Sequence, residues 1–405
     1  MSKGSKRRRR GRRGDGEGSI YKHKDGRWLG QVSLGYDADG KRIRKSFSGK
    51  TRKEVADKIA AALHEVTTGT YIEPTTITLG EWLDRWMTSY KKAQLKQSTY
   101  ESYDSMIETY IKPVLGDVPM AKLQGPMLQD FYNEQLESGR RKTKGGLSNR
   151  TVRYLHSIIR QALQKAVKEN MLPRNPADTT DPPTAKSGQV EPLTEDQLLT
   201  FFETAKDDRL YAAYVLAATT GLRRGELLGL CWDCVDLKGG VITVQRQLLA
   251  LEDGPTMDDG TKSKRGRRSI ALTDDATREL KAHRKRQAQE MLLIGEAYQK
   301  NNLVFAEADG TYLDPREFTK HFQRLLKQAG LPKVRLHDLR HTHASLLLAR
   351  GVHPKVVQER LGHSSITMTL DLYSHLTPGL DEAAAATLNG LLKEKGPAEQ
   401  QSQDQ

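Results

Sequence analysis

The chain has little cysteine, no long apolar run and a shortage of acid. Two cysteines in 405 residues cannot supply a disulfide framework. They form a Cys231-x-x-Cys234 pair with no second pair and no histidine at finger spacing, so half-buried helical thiols are expected rather than a zinc or redox site. No stretch approaches the roughly 18 apolar residues that span a bilayer. The most apolar one, Tyr211–Leu222, is broken by threonines and reads as a buried helix. The N-terminus lacks the apolar core of a signal peptide. With a mean hydropathy of −0.67, this describes a soluble, cytoplasmic chain with no membrane partner. Acidic residues number 51 against 65 lysines and arginines, a formal net charge of +14. That excess suits a polyanionic partner such as nucleic acid.

Eight of the cations lie in the first thirteen residues, from Lys3 to Arg13. Three readings of this tail stand side by side: a solvated arm, a phosphate or minor-groove contact, and a localisation signal. With the tail set aside the body is still basic.

Two Asp-Gly turns, Asp25-Gly26 and Asp39-Gly40, separate short alternating runs at Gly18–His23, Trp28–Tyr36 and Lys41–Phe47. This pattern predicts a three-stranded meander. Thr51 and Glu54 then cap a helix whose apolar face is Val55, Ile59, Ala62 and Leu63, completing a β3α unit over 18–68 behind a basic tail, 1–17. The third strand carries Lys41, Arg42, Arg44 and Lys45, which suit a DNA groove or, equally, a solvated edge face. Residues 69–77 read as a linker. Four helices follow, with capping boxes at Thr78/Glu81 and Ser98/Glu101, and predict an all-α domain over 78–180. Pro173, Pro176, Pro182 and Pro183 then read as a hinge. The last domain, 190–393, opens with Thr194 and Gln197, is mostly helical with short strands near 241–246 and 268–272, and ends in a polar tail, 394–405. The expected fold is therefore multidomain and mainly α, with a small β3α domain at the front and a mixed, mostly helical domain at the back.

Four segments of that last domain carry chemistry. In Thr220-Gly221-Leu222-Arg223-Arg224-Gly225-Glu226 a turn delivers an arginine to a helix start, and Glu226 sits at i+3, placed to hold the Arg223 guanidinium. Thr261–Leu272 packs five cations around a glycine before an apolar strand, the form of a β-hairpin with a basic tip. In His337-Asp338-Leu339-Arg340-His341-Thr342-His343, His337 and Arg340 share a face. The three histidines do not, so no metal is expected, and His343 reads as a core residue. Finally, Leu361-Gly362-His363 precedes Tyr373.

Two arginines, two histidines, a lysine and a tyrosine suffice to break a phosphodiester without a metal. Guanidinium forks match phosphate oxygens and offset the charge of a pentavalent transition state. A phenol of pKa about 10 is ionised about once in a thousand at pH 7. Nearby cations favour the phenolate, a histidine takes its proton, and a lysine can protonate the departing 5′-oxygen. The ester formed keeps the bond energy, so no ATP is needed. No segment reads as a P-loop, and no cofactor is expected.

In this order the four motifs resemble those of the tyrosine recombinases, in particular phage and conjugative-transposon integrases. The resemblance covers nearly the whole chain and implies a site-specific DNA recombinase acting through a 3′-phosphotyrosyl intermediate. It implies that Arg223 and Arg340 clamp the phosphate, His337 accepts the proton, His363 hydrogen-bonds the transition state and Tyr373 is the nucleophile. Lys264 best matches the lysine that protonates the 5′-oxygen, with Lys262 its rival, and Gly225 stands where many members have serine. It further implies arm-site binding by the β3α unit and core-site binding by the helical domain. The implied partners are a tetramer on two duplexes, a host DNA-bending factor and an excisionase, in the nucleoid of a bacterial host. A helix near Glu382–Leu392 would pack on a neighbouring subunit or on its own domain. The rivals are a type IB-like topoisomerase and a DNA-binding protein without catalysis.

Overall fold

The computed structural model describes residues 19–36, 42–67, 76–141, 143–184, 192–258, 267–363, 365–367 and 369–370. The chain divides into two units, Met1–Lys186 and Ser187–Gln405.

In the first unit, β1 (Ser19–Lys22), β2 (Trp28–Tyr36) and β3 (Arg42–Gly49) form an antiparallel meander. Helix α1 (Arg52–Thr67) packs on it around Val32, Val55, Ile59 and Ala62. The Thr51 hydroxyl accepts from Glu54 N at 3.2 Å. Gly30 lets the helix lie close, because a Cβ there would sit 2.6 Å from both Val55 and Ile59. The register pairs Val32 with Lys45 and Ser33 with Arg44. Paired residues share a face and neighbours alternate. Lys45 therefore lies on the helix-packed face, its amine 5.6 Å from the Phe47 ring centre, and Arg44 on the open face. The four cations of this strand are thus not one row. Lys41 lies outside the described residues; Arg42 is paired with Tyr36 through the backbone.

The four expected helices follow as α2 (Leu79–Trp86), α3 (Gln97–Met106) continuing into α4 (Lys112–Leu115), α5 (Gly125–Ser138) and α6 (Asn149–Lys168). π-helical turns at Met87–Lys91 and Ile107–Ile111 extend α2 and join α3 to α4. The Thr78/Glu81 capping box forms. Trp82, Trp86, Phe131, Tyr132 and the inner face of α6 make the core, and the Trp82 indole donates to Ala162 O at 2.9 Å.

The proline segment is not a free hinge. Asn175 caps a 3₁₀ turn at Pro176–Thr179 and donates to Arg160 O at 3.0 Å; Asp178 pairs with Arg160; Asp181 N donates to Gln129. Proline ends α6, but the polar residues between the prolines tie this segment back onto α5 and α6.

The second unit begins with α7 (Glu195–Ala205), its Thr194/Gln197 capping box formed, and α8 (Tyr211–Thr220), buried along nearly its whole length as the apolar run implied. Short α9 (Arg224–Leu228) leads to strands β4 (Val235–Asp236), β5 (Val241–Val244), β6 (Gln247–Leu251), β7 (Gly254–Asp258) and β8 (Arg268–Ala271). Helices α10 (Asp274–Ile294), α11 (Pro315–Gln328), α12 (Asp338–Ala349) and α13 (Pro354–Leu361) follow. Among the described residues the sheet order is β4-β5-β8, while β6 pairs with β7 in a two-stranded sheet.

The basic tip of the hairpin expected over Thr261–Leu272 lies outside the described residues, and β6 and β7 form a separate hairpin before it. The tip of β6–β7 is the acidic Glu252-Asp253, turned by Gly254 at φ +119°. The basic tract follows β7 and runs into β8, and its Lys262 and Lys264 lie outside the described residues. Cys231 and Cys234 are buried and form no disulfide, and Cys234 lies in a 3₁₀ turn rather than an α-helix.

Candidate active site

Three turns build the site. Helix α8 ends at Gly221, which adopts φ +66°. A Cβ there would lie 2.4 Å from Leu361 Cδ2, so only glycine fits. Arg223 is the N-cap of α9, and Glu226 accepts its backbone N–H at 2.9 Å. Helix α13 ends at Gly362, also left-handed at φ +68°. Helix α12 starts at His337 and carries Arg340 in its first turn.

A helix end leaves carbonyls without partners, and they favour cations. The end of α13 uses three in succession. Arg360 O accepts from Arg268 Nε at 2.9 Å, Leu361 O from Arg340 Nη2 at 2.7 Å, and Gly362 O from Arg223 Nη2 at 3.0 Å. Three arginines from three distant segments are thereby held side by side. Arg340 also donates from Nη1 to Gly221 O at 2.7 Å. Only two of its five N–H groups are used in these two bonds, and the same count holds for Arg223 with Gly362 O and Glu226.

Glu226 is the one carboxylate in this network among the described residues. Its Oε1 accepts from Arg223 at 2.7 Å and from Arg268 at 3.1 Å, and its Oε2 from Arg268 at 2.8 Å. Burial alone would raise its pKa, yet the two guanidinium groups bring it down to about 2. The network is therefore net cationic. Arg340 is 3% exposed, and burial followed by repulsion from Arg223 lowers its pKa to about 9, still charged at neutral pH. Repelled cations in a dry site gain most from an arriving anion.

His363 is buried, and its Nδ1 shares a 2.9 Å hydrogen bond with the Thr369 hydroxyl. Burial, then Arg340 and Arg223, depress its pKa to about 4, so it is neutral at pH 7. His337 is exposed on one side, which limits how far desolvation acts. Its pKa is still lowered, by desolvation first and then by His341, edge-on with ring centres 5.2 Å apart, and by Arg340. His343 plays another part. Its Nε2 accepts from Arg360 Nε at 3.2 Å, so its Nδ1 carries the proton and donates to Ala218 O at 3.0 Å. Both nitrogens are used, as expected of a core histidine. Among the described residues no cluster of three or more His, Cys, Asp or Glu side chains is placed to hold a metal ion.

Of the residues singled out in the sequence, Arg223, Arg340, His337 and His363 come together here; Arg44 and Lys45 belong to the other unit. Tyr373 and Lys264 lie outside the described residues. Two members of the network were not anticipated, Arg268 and Arg360. In sequence, Arg268 is one cation in a run of them.

The phage integrase family model matches residues 191–379, and the model of the phage integrase N-terminal SAM-like domain matches 78–136. A tyrosine recombinase XerC-like protein of Caldanaerobacter subterraneus is 31% identical over 89% of this chain and 95% of its own length. The chain belongs to the phage integrase family of tyrosine recombinases. The ICEBs1 integrase of Bacillus subtilis is 27% identical over 92% of this recombinase and 100% of that relative. Among solved structures, the Tn1549 transposon integrase in complex with transposon right end DNA gives a TM-score of 0.63 at 24% identity, covering 78% of this chain and all of that one. A lambda integrase tetramer bound to a Holliday junction gives 0.54 at 21%, covering 89% and 96%. At such identities these likenesses show the fold. The recombinase is thus an enzyme of the site-specific DNA strand-transferase class, and no described helix is long and apolar enough to cross a membrane.

Proposed function

We propose that this recombinase integrates and excises a mobile element by attack of the Tyr373 phenol on a scissile phosphate, with Arg223 and Arg340 as the phosphate clamp. The observation that carries this reading is the set of consecutive carbonyls at the end of α13, which holds both guanidinium groups against one another with N–H groups to spare. The tyrosine oxygen forms the bond to phosphorus, the P–O5′ bond breaks, and the strand is held as a 3′-phosphotyrosyl ester. Neutral His337 takes the phenolic proton, and Lys264, or its neighbour Lys262, protonates the 5′-oxygen. His363, kept neutral beside the arginines, donates to a phosphoryl oxygen as negative charge develops there. Attack by a 5′-hydroxyl reverses the sequence on a new partner strand.

In this reading residues 190–393 form the catalytic domain, 78–180 grip the core site and 18–68 bind arm sites through the β3α unit. The active assembly is a tetramer on two duplexes, helped by a bending factor and an excisionase, in the nucleoid of the bacterial cytoplasm. Support comes from relatives named as integrases and from the lambda integrase tetramer on a Holliday junction.

A core duplex with a nick beside the scissile phosphate traps the intermediate, because the short leaving strand diffuses away. Wild type should accumulate a covalent protein–DNA adduct on a denaturing gel. Tyr373→Phe should bind the same duplex and form none. An adduct of undiminished yield in the Phe variant would refute the assignment.

A further inference from the structure

We infer that Arg268 is a positioning residue for cleavage: it occupies Glu226 so that Arg223 stays cationic and aimed at the phosphate. The inference rests on the reading of Arg223 given above. Glu226 is 5% exposed and the Arg268 side chain 8%, and they meet through two parallel hydrogen bonds. Such a fork uses both carboxylate oxygens. The Arg223 guanidinium is left one shared oxygen, Oε1, reached through Nη1, while the backbone N–H of the same residue donates to Oε2. If Arg268 were absent, both oxygens of a dry carboxylate would face Arg223 alone. A one-to-one pair would cancel its charge, and the bidentate geometry would draw Nη2 from Gly362 O.

Arg268 also fixes the turn that Arg223 and Arg340 lean on. Its Nε donates to Arg360 O, while Arg360 Nη2 donates back to Ala271 O at 2.9 Å and to Thr219 O at 3.0 Å. Strand β8 and the end of α13 are thus clasped from both sides. The fit is close: a Cβ on Gly362 would stand 3.2 Å from Arg268 Nη1. No contact with the phosphate is needed for this role.

The test uses the full-length protein and single-turnover cleavage of the nicked core duplex. Arg268→Gln should bind the duplex as wild type does and cleave about 10- to 100-fold more slowly, a fraction of what losing a direct charge-stabilising donor costs. Removing the unpaired charge with Glu226→Gln in the same chain should recover several-fold of that loss. The deficit of Arg268→Gln should also shrink on a duplex whose scissile group is an uncharged methylphosphonate. A purely structural role slows both substrates alike and gains nothing from the second substitution, and that outcome would overturn the inference. Should Arg268→Gln fail to fold, Arg268→Lys carries the test: it keeps a charge beside Glu226 but cannot form the fork. Wild-type cleavage by the Lys variant would count against the fork, and a slow but methylphosphonate-tolerant Lys variant would support it. Tyr373→Phe is run alongside. If it still forms adduct, the reading of the site fails; if it does not and Arg268→Gln cleaves normally, only the present inference falls.

Discussion

The chain carries arginines in two contrasting settings. At the end of α13, Arg223, Arg340 and Arg268 are held by successive carbonyls, and Arg223 and Arg268 share one carboxylate. On β3, Arg44 is exposed at the open face of a small sheet. The first arrangement costs desolvation, which only precise hydrogen bonding and an anionic partner can offset. The second costs almost nothing and gives correspondingly little geometric control. Buried, anchored cations suit chemistry at one phosphate, whereas solvated cations suit affinity for a polyanion at large. Substitutions in the two settings should therefore differ in kind as well as in size.

Arg340→Ala should have the largest effect. It removes a buried cation and strips Gly221 O and Leu361 O of their donors. Adduct formation in a single turnover should fall on the order of 10³-fold. Each buried carbonyl left unpaired should cost about 1–3 kcal/mol of stability, visible as a lower melting temperature. Cleavage within tenfold of wild type would mean that this arginine does not face the phosphate, and the contrast with β3 would collapse.

How much of the molecule is legible in its sequence differs between the same two settings. Gly221 and Gly362 are legible because a left-handed helix end that lies against a neighbour admits only glycine, and each stands beside a motif residue. Arg223 and Arg340 are legible by their place in ordered motifs. Arg268 is not, because a run of cations gives no hint of which one turns inward. The decisive contacts, two bonds to Glu226 and one to Arg360 O, join residues far apart in sequence. Asp253-Gly254 marks the β6–β7 turn as plainly as Asp25-Gly26 marks the first one, yet the dense charge of the neighbouring basic tract masks it. The proline segment misleads for another reason. Proline reports that a helix stops, but the path of the chain beyond it depends on polar side chains such as Asn175 and Asp178 finding partners on α6. The cations of β3 are legible as a group only, since their faces depend on register with β2.

The histidines should give a smaller effect. His343 and His363 are both buried with pKa values depressed to about 4, by burial first, against about 6.5 in the unfolded chain. Between those values the unfolded chain binds more protons than the folded one. Stability from keeping them neutral is thus complete above pH 6.5 and is lost as pH falls toward 4. Glu226, at about 2, stays ionised throughout this window. Melting of the second unit should weaken between pH 7 and pH 5 by about 1–2 kcal/mol for each of the two groups. A melting temperature that does not move over that range would show that these rings take up protons freely in the folded state.

The smallest effects should lie on β3, and there the two neighbours should part. Arg44 shares the open face with Ser33, while Lys45 is opposite Val32 on the face that α1 covers and lies over Phe47. If the sheet lies on arm-site DNA with its open face, Arg44 meets a phosphate and Lys45 does not. Each phosphate contact contributes about 0.9 to the slope of log affinity against log salt on duplex DNA. Arg44→Ala should therefore flatten the slope for arm-site DNA by about one contact's worth. Lys45→Ala should leave that slope unchanged, and both variants should cleave the nicked core duplex at the wild-type rate. A flatter slope for Lys45→Ala with none for Arg44→Ala would place the DNA against the other side of the strand. A loss of core cleavage in either variant would instead tie the sheet to the catalytic step, and the distinction between anchored and solvated cations would need to be redrawn around that coupling.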